Sequence, residues 1–356
     1  MTRGRTGAFR RIDTARGALV LAATLGALTL GTVPGKANDT TAALAAGGLV
    51  FVPTDDIAMK SEDLFISEQE VRVRYVFKST AAKDVHTLVA FPMPDIMVSM
   101  ESTESIPVED SENFLDFKTL VEGKPVITKV EQKVFALGID RTQMLIDLKV
   151  PLAPQMSATG KALDALPKDK WQELLDIGLV QVDEFDAGKG TERHLAPRWT
   201  LKTTYYWMQT FPAGKELVVE HQYKPSVGMS VGTLVGMKVD KDNPWIAAEQ
   251  RSMADTFCID STLLAAVDRA SKGSKPEMQP VFSDARIHYI LKTAGNWAGS
   301  IGDFTLTVDK GAPENLVSFC GTGVKKISPT RFQMKAKDFF PLKDLGILIL
   351  KPYPKK

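Results

Sequence analysis

Cysteine is almost missing from this chain of 356 residues, which holds only Cys258 and Cys320. Histidine is nearly as scarce. His86, His194, His221 and His288 are scattered, and no Cys-x-x-Cys or His-x-x-x-His spacing occurs, so the usual zinc-binding patterns are excluded. Asp240-Lys-Asp242-Asn243 opens like a calcium loop, but Trp245 falls where the sharp turn requires glycine. No glycine-rich phosphate cradle follows a strand. Neither a metal nor a cofactor is therefore implied. An excess of one charge is also lacking, with 44 Lys+Arg against 43 Asp+Glu. That balance gives no electrostatic reason to bind nucleic acid. Beyond the N-terminus, long apolar runs are missing too. Leu345-Gly-Ile-Leu-Ile-Leu350 has the length of a buried strand, not of an integral membrane segment.

What is present begins with a targeting pattern. Arg3, Arg5, Arg10, Arg11 and Arg16 precede an uncharged apolar run from Gly17 to Val33. Pro34-Gly35-Lys36-Ala37 then places small residues at −3 and −1, the arrangement of a signal peptide cleaved after Ala37. The alternative is a membrane anchor, for which a run of about 17 residues is marginal. Cleavage would leave Asn38 as the mature N-terminus and place the protein in the periplasm. In an oxidising compartment Cys258 and Cys320 are most simply a disulfide, the alternative being two separate buried thiols.

Period-two alternation dominates the rest. Val71, Val73, Tyr75 and Phe77 point one way, while Arg72, Arg74 and Lys78 point the other. This predicts half-buried strands of antiparallel sheets. Further strands are expected at 85–91, 199–208 and 216–223, and five more follow residue 286. A hairpin is expected from 114–120 and 126–134, and an acidic solvated loop over 101–113. Trp171, Leu174, Leu175 and Gly178 recur at helical spacing behind Pro167, predicting a helical insertion near 161–180 with a mobile polar exit at 183–196. A second helix is expected near 261–272, capped by Asp260 or Ser261 and ended by Gly273. The fold class is mainly β, an antiparallel β-sandwich-type architecture. Residues 38–239 form one β-rich region and 240–356 a helix with a second, in the same domain or its own.

Two constellations bear on function. Gly228-Met-Ser230-Val-Gly232 matches the Gly-x-Ser-x-Gly nucleophile signature. A nucleophile elbow needs a buried strand before it and a helix after it. Here a half-polar strand precedes and a β-branched, glycine-containing stretch follows, so the segment reads as a structural turn. The second is the aromatic cluster at 199–211. Its pleat sends Trp199, Leu201, Tyr205 and Trp207 inward and leaves Tyr206 and Met208 outside, where they would form a binding platform. His221 lies on the apolar face of its strand and reads as a hydrogen-bonded core residue.

Several strings together resemble an exported bacterial family, domain of unknown function 4424. They are Asn38-Asp-Thr-Thr-Ala-Ala-Leu-Ala-Ala-Gly-Gly-Leu49, Ser61-Glu-Asp-Leu64, Phe91-Pro-Met-Pro94, Tyr205-Tyr-Trp-Met-Gln209, His221-Gln-Tyr-Lys-Pro225, Asn296-Trp297 and Ser318-Phe-Cys320. The resemblance implies a periplasmic protein and brings no catalytic residue. Tyr75-Val-Phe77, Phe91-Pro-Met-Pro94 and Asp116-Phe117 are also similar to parts of the vault/inter-alpha-trypsin domain, which implies an interaction role. The sequence thus points to a non-catalytic binding or scaffold module whose partner is a periplasmic protein or small ligand. The alternative is a serine hydrolase using Ser230.

Overall fold

Alternation along Val71–Ser79 becomes pleat: Val71, Val73, Tyr75 and Phe77 are buried, and Arg72, Arg74 and Lys78 are exposed. The computed structural model describes residues 38–97, 103–109, 112–186, 188, 190–239, 244–272 and 280–354. The expected signal segment 1–37, the calcium-like residues Asp240, Asp242 and Asn243, and the expected helix stop at Gly273 lie outside them. The described residues form two large sheets, a five-stranded sheet and a separate hairpin. They are mainly β, of β-sandwich type.

The first large sheet runs, in spatial order, Ile139–Asp140, Lys129–Ala136, Thr200–Phe211, Val85–Pro92, Thr40–Ala45 and Gly48–Phe51, with Ile96–Met97 also pairing to Thr200–Phe211. The second runs Lys325–Lys326, Arg331–Phe339, Ile301–Asp309, Ile57–Ile66, Val71–Ser79, Glu216–Tyr223, Lys118–Val121 and Lys124–Val126. Among the described residues, ladders are antiparallel except one: Ile301–Asp309 lies parallel to Ile57–Ile66, with Asp303 opposite Ser61. Strands from both sides of residue 240 therefore share this sheet. The two segments that echo each other in sequence, beginning at Glu70 and Glu216, are direct neighbours, Leu217 opposite Phe77 and Tyr223 opposite Val71. They look alike because they present the same face to the same core.

Rings of the two sheets meet across that core. Phe77 lies 5.7 Å from Phe211, Phe117 stacks on Tyr205 at 4.3 Å, and Phe91 lies 4.8 Å from His221. Such pairs each add about 0.5–1.5 kcal/mol beyond the area they bury. The five-stranded sheet, Leu316–Phe319, Leu345–Pro352, Phe282–Tyr289, Val227–Ser230 and Thr103–Glu104, is covered on both faces. Ile347 and Ile349 join the main core, whereas Leu348 and Leu350 join a second cluster with Met253, Phe257, Leu263 and Val267. This explains the continuous apolar run of the last strand. Cys258 and Cys320 are disulfide-bonded, their Cα atoms 5.0 Å apart, and tie the helices to this sheet.

Four local expectations need correction. The expected hairpin after residue 114 is shorter: Lys118–Val121 pairs with Lys124–Val126, and the chain then crosses to the other sheet as Lys129–Ala136. The polar exit at 183–196 is a hairpin, Val180–Asp186 with Thr191–Pro197, held by backbone pairing its polar side chains do not oppose. Within the acidic loop, Thr103–Glu104 pairs with Val227–Ser230. That last strand replaces the expected glycine turn, since ladders on both edges satisfy its backbone. The helical insertion itself is Ser157–Asp164 and Lys168–Asp176, the latter burying Trp171 and Leu174. The later helix is Ser261–Ser271, with Asp260 accepting from Leu263 N at 2.8 Å.

Candidate functional site

At one end of the eight-stranded sheet the strand ends and their turns enclose an open cleft of about 430 Å³. Phe65 comes from the end of Ile57–Ile66, and Ser67, Gln69 and Glu70 from the turn between it and Val71–Ser79. Asp116, Lys118 and Gln222 to Lys224 come from the next two strands, and Asp309, Gly311 and Arg331 from the C-terminal hairpin. Loops that gather at the end of a rigid sheet are free to carry binding groups, because the ladder below holds their spacing.

The charges in this cleft are held in place. Arg331 Nε lies 2.8 Å from Asp309 Oδ2, and Arg72 Nε 3.2 Å from Glu70 Oε1. Both guanidinium groups approach the Phe65 ring, at 4.5 Å for Arg72 and 5.5 Å for Arg331. Burial works against the charge of Asp309, but hydrogen bonds from Arg331 and from Gly311 N (3.0 Å) outweigh it and hold the carboxyl below its ordinary range. Lys118 pairs with Asp116 at 3.1 Å, whereas Lys224 has no ion-pair partner among the described residues. The cleft thus offers the Phe65 ring, the Arg331 guanidinium and the Lys224 ammonium, with Arg72 against the same ring but outside the lining. It can receive a small polar solute bearing an anionic group.

A second polar constellation is fully buried where the three sheets meet. Asn38 Nδ2 donates to Glu62 Oε2 at 3.0 Å, and Tyr75 OH donates to Asn38 Oδ1. Tyr75 and Tyr289 hydroxyls are 2.9 Å apart, and Tyr289 OH lies 3.5 Å from Glu62 Oε1, which closes a ring of four side chains. Beside it, Asp39 Oδ1 meets His221 Nε2 at 3.0 Å, and His221 Nδ1 meets Thr119 Oγ1 at 2.9 Å. Trp297 Nε1 donates to Asp39 O, and Asn296 Nδ2 to Thr40 Oγ1 at 2.8 Å. Burial raises the carboxyl of Asp39 despite the opposing attraction of His221, and it pushes Glu62 up to about 8. His221 is thus a core residue with both ring nitrogens engaged.

The structure does not gather the sequence-derived candidates into either place. Tyr206 is half-buried and Met208 exposed on the outer face of the first sheet, and neither lines the cleft. Trp199, Leu201, Tyr205 and Trp207 are buried on the opposite face. Ser230 sits opposite Asp284, and its Oγ donates to Gly232 O at 3.1 Å. His288 lies four residues further along the partner strand, about 13 Å by strand geometry. Asp284 is engaged by Arg286 at 3.1 Å. Phe65, Lys224 and Arg331 escaped the sequence reading because alternation marks faces, not the ends of strands. The available signal was the clustering of charges at predicted strand ends.

The model of the family described as a domain of unknown function, DUF4424, matches residues 37–348. No curated protein matches the chain. Among solved structures, it is similar to a Legionella pneumophila protein described as a putative nutrient binding protein, with 16% identity and a TM-score of 0.43, over 89% of this chain and 71% of that one.

Proposed function

The chain belongs to the DUF4424 family, and from that premise we propose that it is an exported, periplasmic, non-catalytic binding module whose ligand site is the cleft around Phe65. The observation that carries this reading is the pre-set pair Arg331 and Arg72 over one ring, with Lys224 left to meet a ligand. Fixed guanidinium groups lose little freedom when they engage a carboxylate or phosphate, so the cleft is built for recognition. The absence of a helix directly after Ser230 over residues 231–239, its bond to Gly232 O and its distance from His288 support binding over hydrolysis. Tyr75, Phe77, Phe91 and Met93, on which the resemblance to the vault/inter-alpha-trypsin domain rests, are buried and serve packing rather than contact.

The test is a thermal-shift screen with small carboxylates, phosphates, sulfonates and amino acids. At least one class should raise the melting temperature. Arg331→Ala and Lys224→Ala should each abolish that shift while leaving the unliganded protein nearly as stable, because exposed ion pairs contribute only about 0–1 kcal/mol. A screen with no shift, or one untouched by both substitutions, would overturn the assignment.

A further inference from the structure

The buried constellation around Asn38 holds more acid than base. Asp39 and Glu62 are 0% and 1% exposed, and among the described residues His221 is the one basic side chain bonded to either. The other groups bonded within this constellation are neutral: Asn38 and Tyr289 on Glu62, Tyr75 on Asn38, Thr119 on His221 and the Trp297 indole on the Asp39 carbonyl. Asp39 Oδ2 is buried and has no hydrogen-bond partner among the described residues. A buried carboxylate oxygen without a donor has lost its water and gained nothing in return. The site is short of one cationic donor.

The chain can supply that donor itself. The sequence pattern sets cleavage between Ala37 and Asn38, and the family match begins at that same junction, residue 37. We propose that cleavage there turns the Asn38 backbone nitrogen into an α-ammonium that ion-pairs with Asp39 and Glu62 inside the core, so that removal of the leader completes the fold. Water is consumed: its hydroxyl goes to the Ala37 carbonyl, which leaves as a carboxylate, and the freed Asn38 amine takes up a proton. The new charge appears on the residue whose side chain already bonds Glu62, and directly before Asp39. It adds a cation beside two carboxylates of which only Asp39 is bonded to His221. Because Thr40–Ala45 belongs to the first sheet, Glu62 and His221 to the second and Tyr289 to the third, this one charge joins all three.

The pH dependence follows from the same groups. With Ala37 attached, burial, then the neighbouring Asp39, sets Glu62 near 8 against an ordinary 4.5. The folded state then binds the extra proton between those values, so stability falls as pH rises through that window. The α-ammonium favours ionised Glu62 and flattens the slope.

The experiment compares the mature protein exported to a periplasm, its N-terminus read by intact mass, with a chain that retains Ala37 before Asn38. Urea unfolding at pH 8 should favour the mature chain by about tenfold or more in the unfolding constant, with a smaller gap at pH 5. Glu62→Gln should shrink the gap at pH 8. The mature protein alone provides a second measure: its α-amine should react with an acylating reagent at least about a hundredfold more slowly folded than in urea. Three results would each overturn the proposal. They are a mature N-terminus other than Asn38, equal stability of the two chains at pH 8, and an α-amine that labels equally fast in the folded protein.

Discussion

Tyr206 and Trp207 are adjacent and face opposite ways, so they separate packing from surface at the cost of one bond. Trp207 is buried and donates to Gln209 Oε1 at 3.2 Å. Trp207→Ala should cost about 3–5 kcal/mol in chemical denaturation. Tyr206→Ala should cost a small fraction of that, and equal losses would show that both faces of the strand are covered. Ser230→Ala removes one partly buried hydrogen bond and should cost no more than about 1.5 kcal/mol. A fluorophosphonate probe that labels the protein at Ser230 would reinstate the hydrolase. At this scale the sequence was legible wherever a residue's side of the sheet depends on its own strand, as with Tyr75, Phe77 and His221. It was illegible for Asp39, whose partner His221 lies far along the chain and is brought near only by the meeting of two sheets.

Among the elements, Pro244–Phe257 shows why a helix escapes periodicity. Its buried residues are only Ile246, Met253 and Phe257, a sparse stripe in a segment of alanine and polar side chains. Its seat is instead marked on the strand beneath. A Cβ at Gly346 would lie 2.9 Å from the carbonyl oxygen of Thr256, near the end of that helix. Gly346→Ala should therefore lift the helix and cost about 1–3 kcal/mol by overpacking, read as a fall in melting temperature. The shorter Ser261–Ser271 announced itself through its cap. Asp260→Ala should cost about 1 kcal/mol by leaving Leu263 N without its acceptor. Strands were read well for the same reason helices were read unevenly: ladders impose alternation on every residue, whereas a helix lying on a sheet needs apolar contact at only a few.

For the whole molecule, the disulfide closes a loop of 62 residues, and reducing it should lower stability by roughly 4 kcal/mol in the chain-entropy model. Protein purified without reductant should show no free thiol in denaturant, and melting should drop on reduction. The parallel ladder has a different consequence, one of timing. Ile57–Ile66 gains its second neighbour only when Ile301–Asp309 arrives, and that strand is itself flanked by Arg331–Phe339. During synthesis the early strands therefore emerge long before the partner that seals their edge. Pairings between such distant residues are slow to form, because the loop must close before any contact rewards it. A nascent chain of this design leaves that edge open until all but the 47 residues after Asp309 have been made. The export proposed above would move such a chain while it is still extended, before its last strands close the sheet.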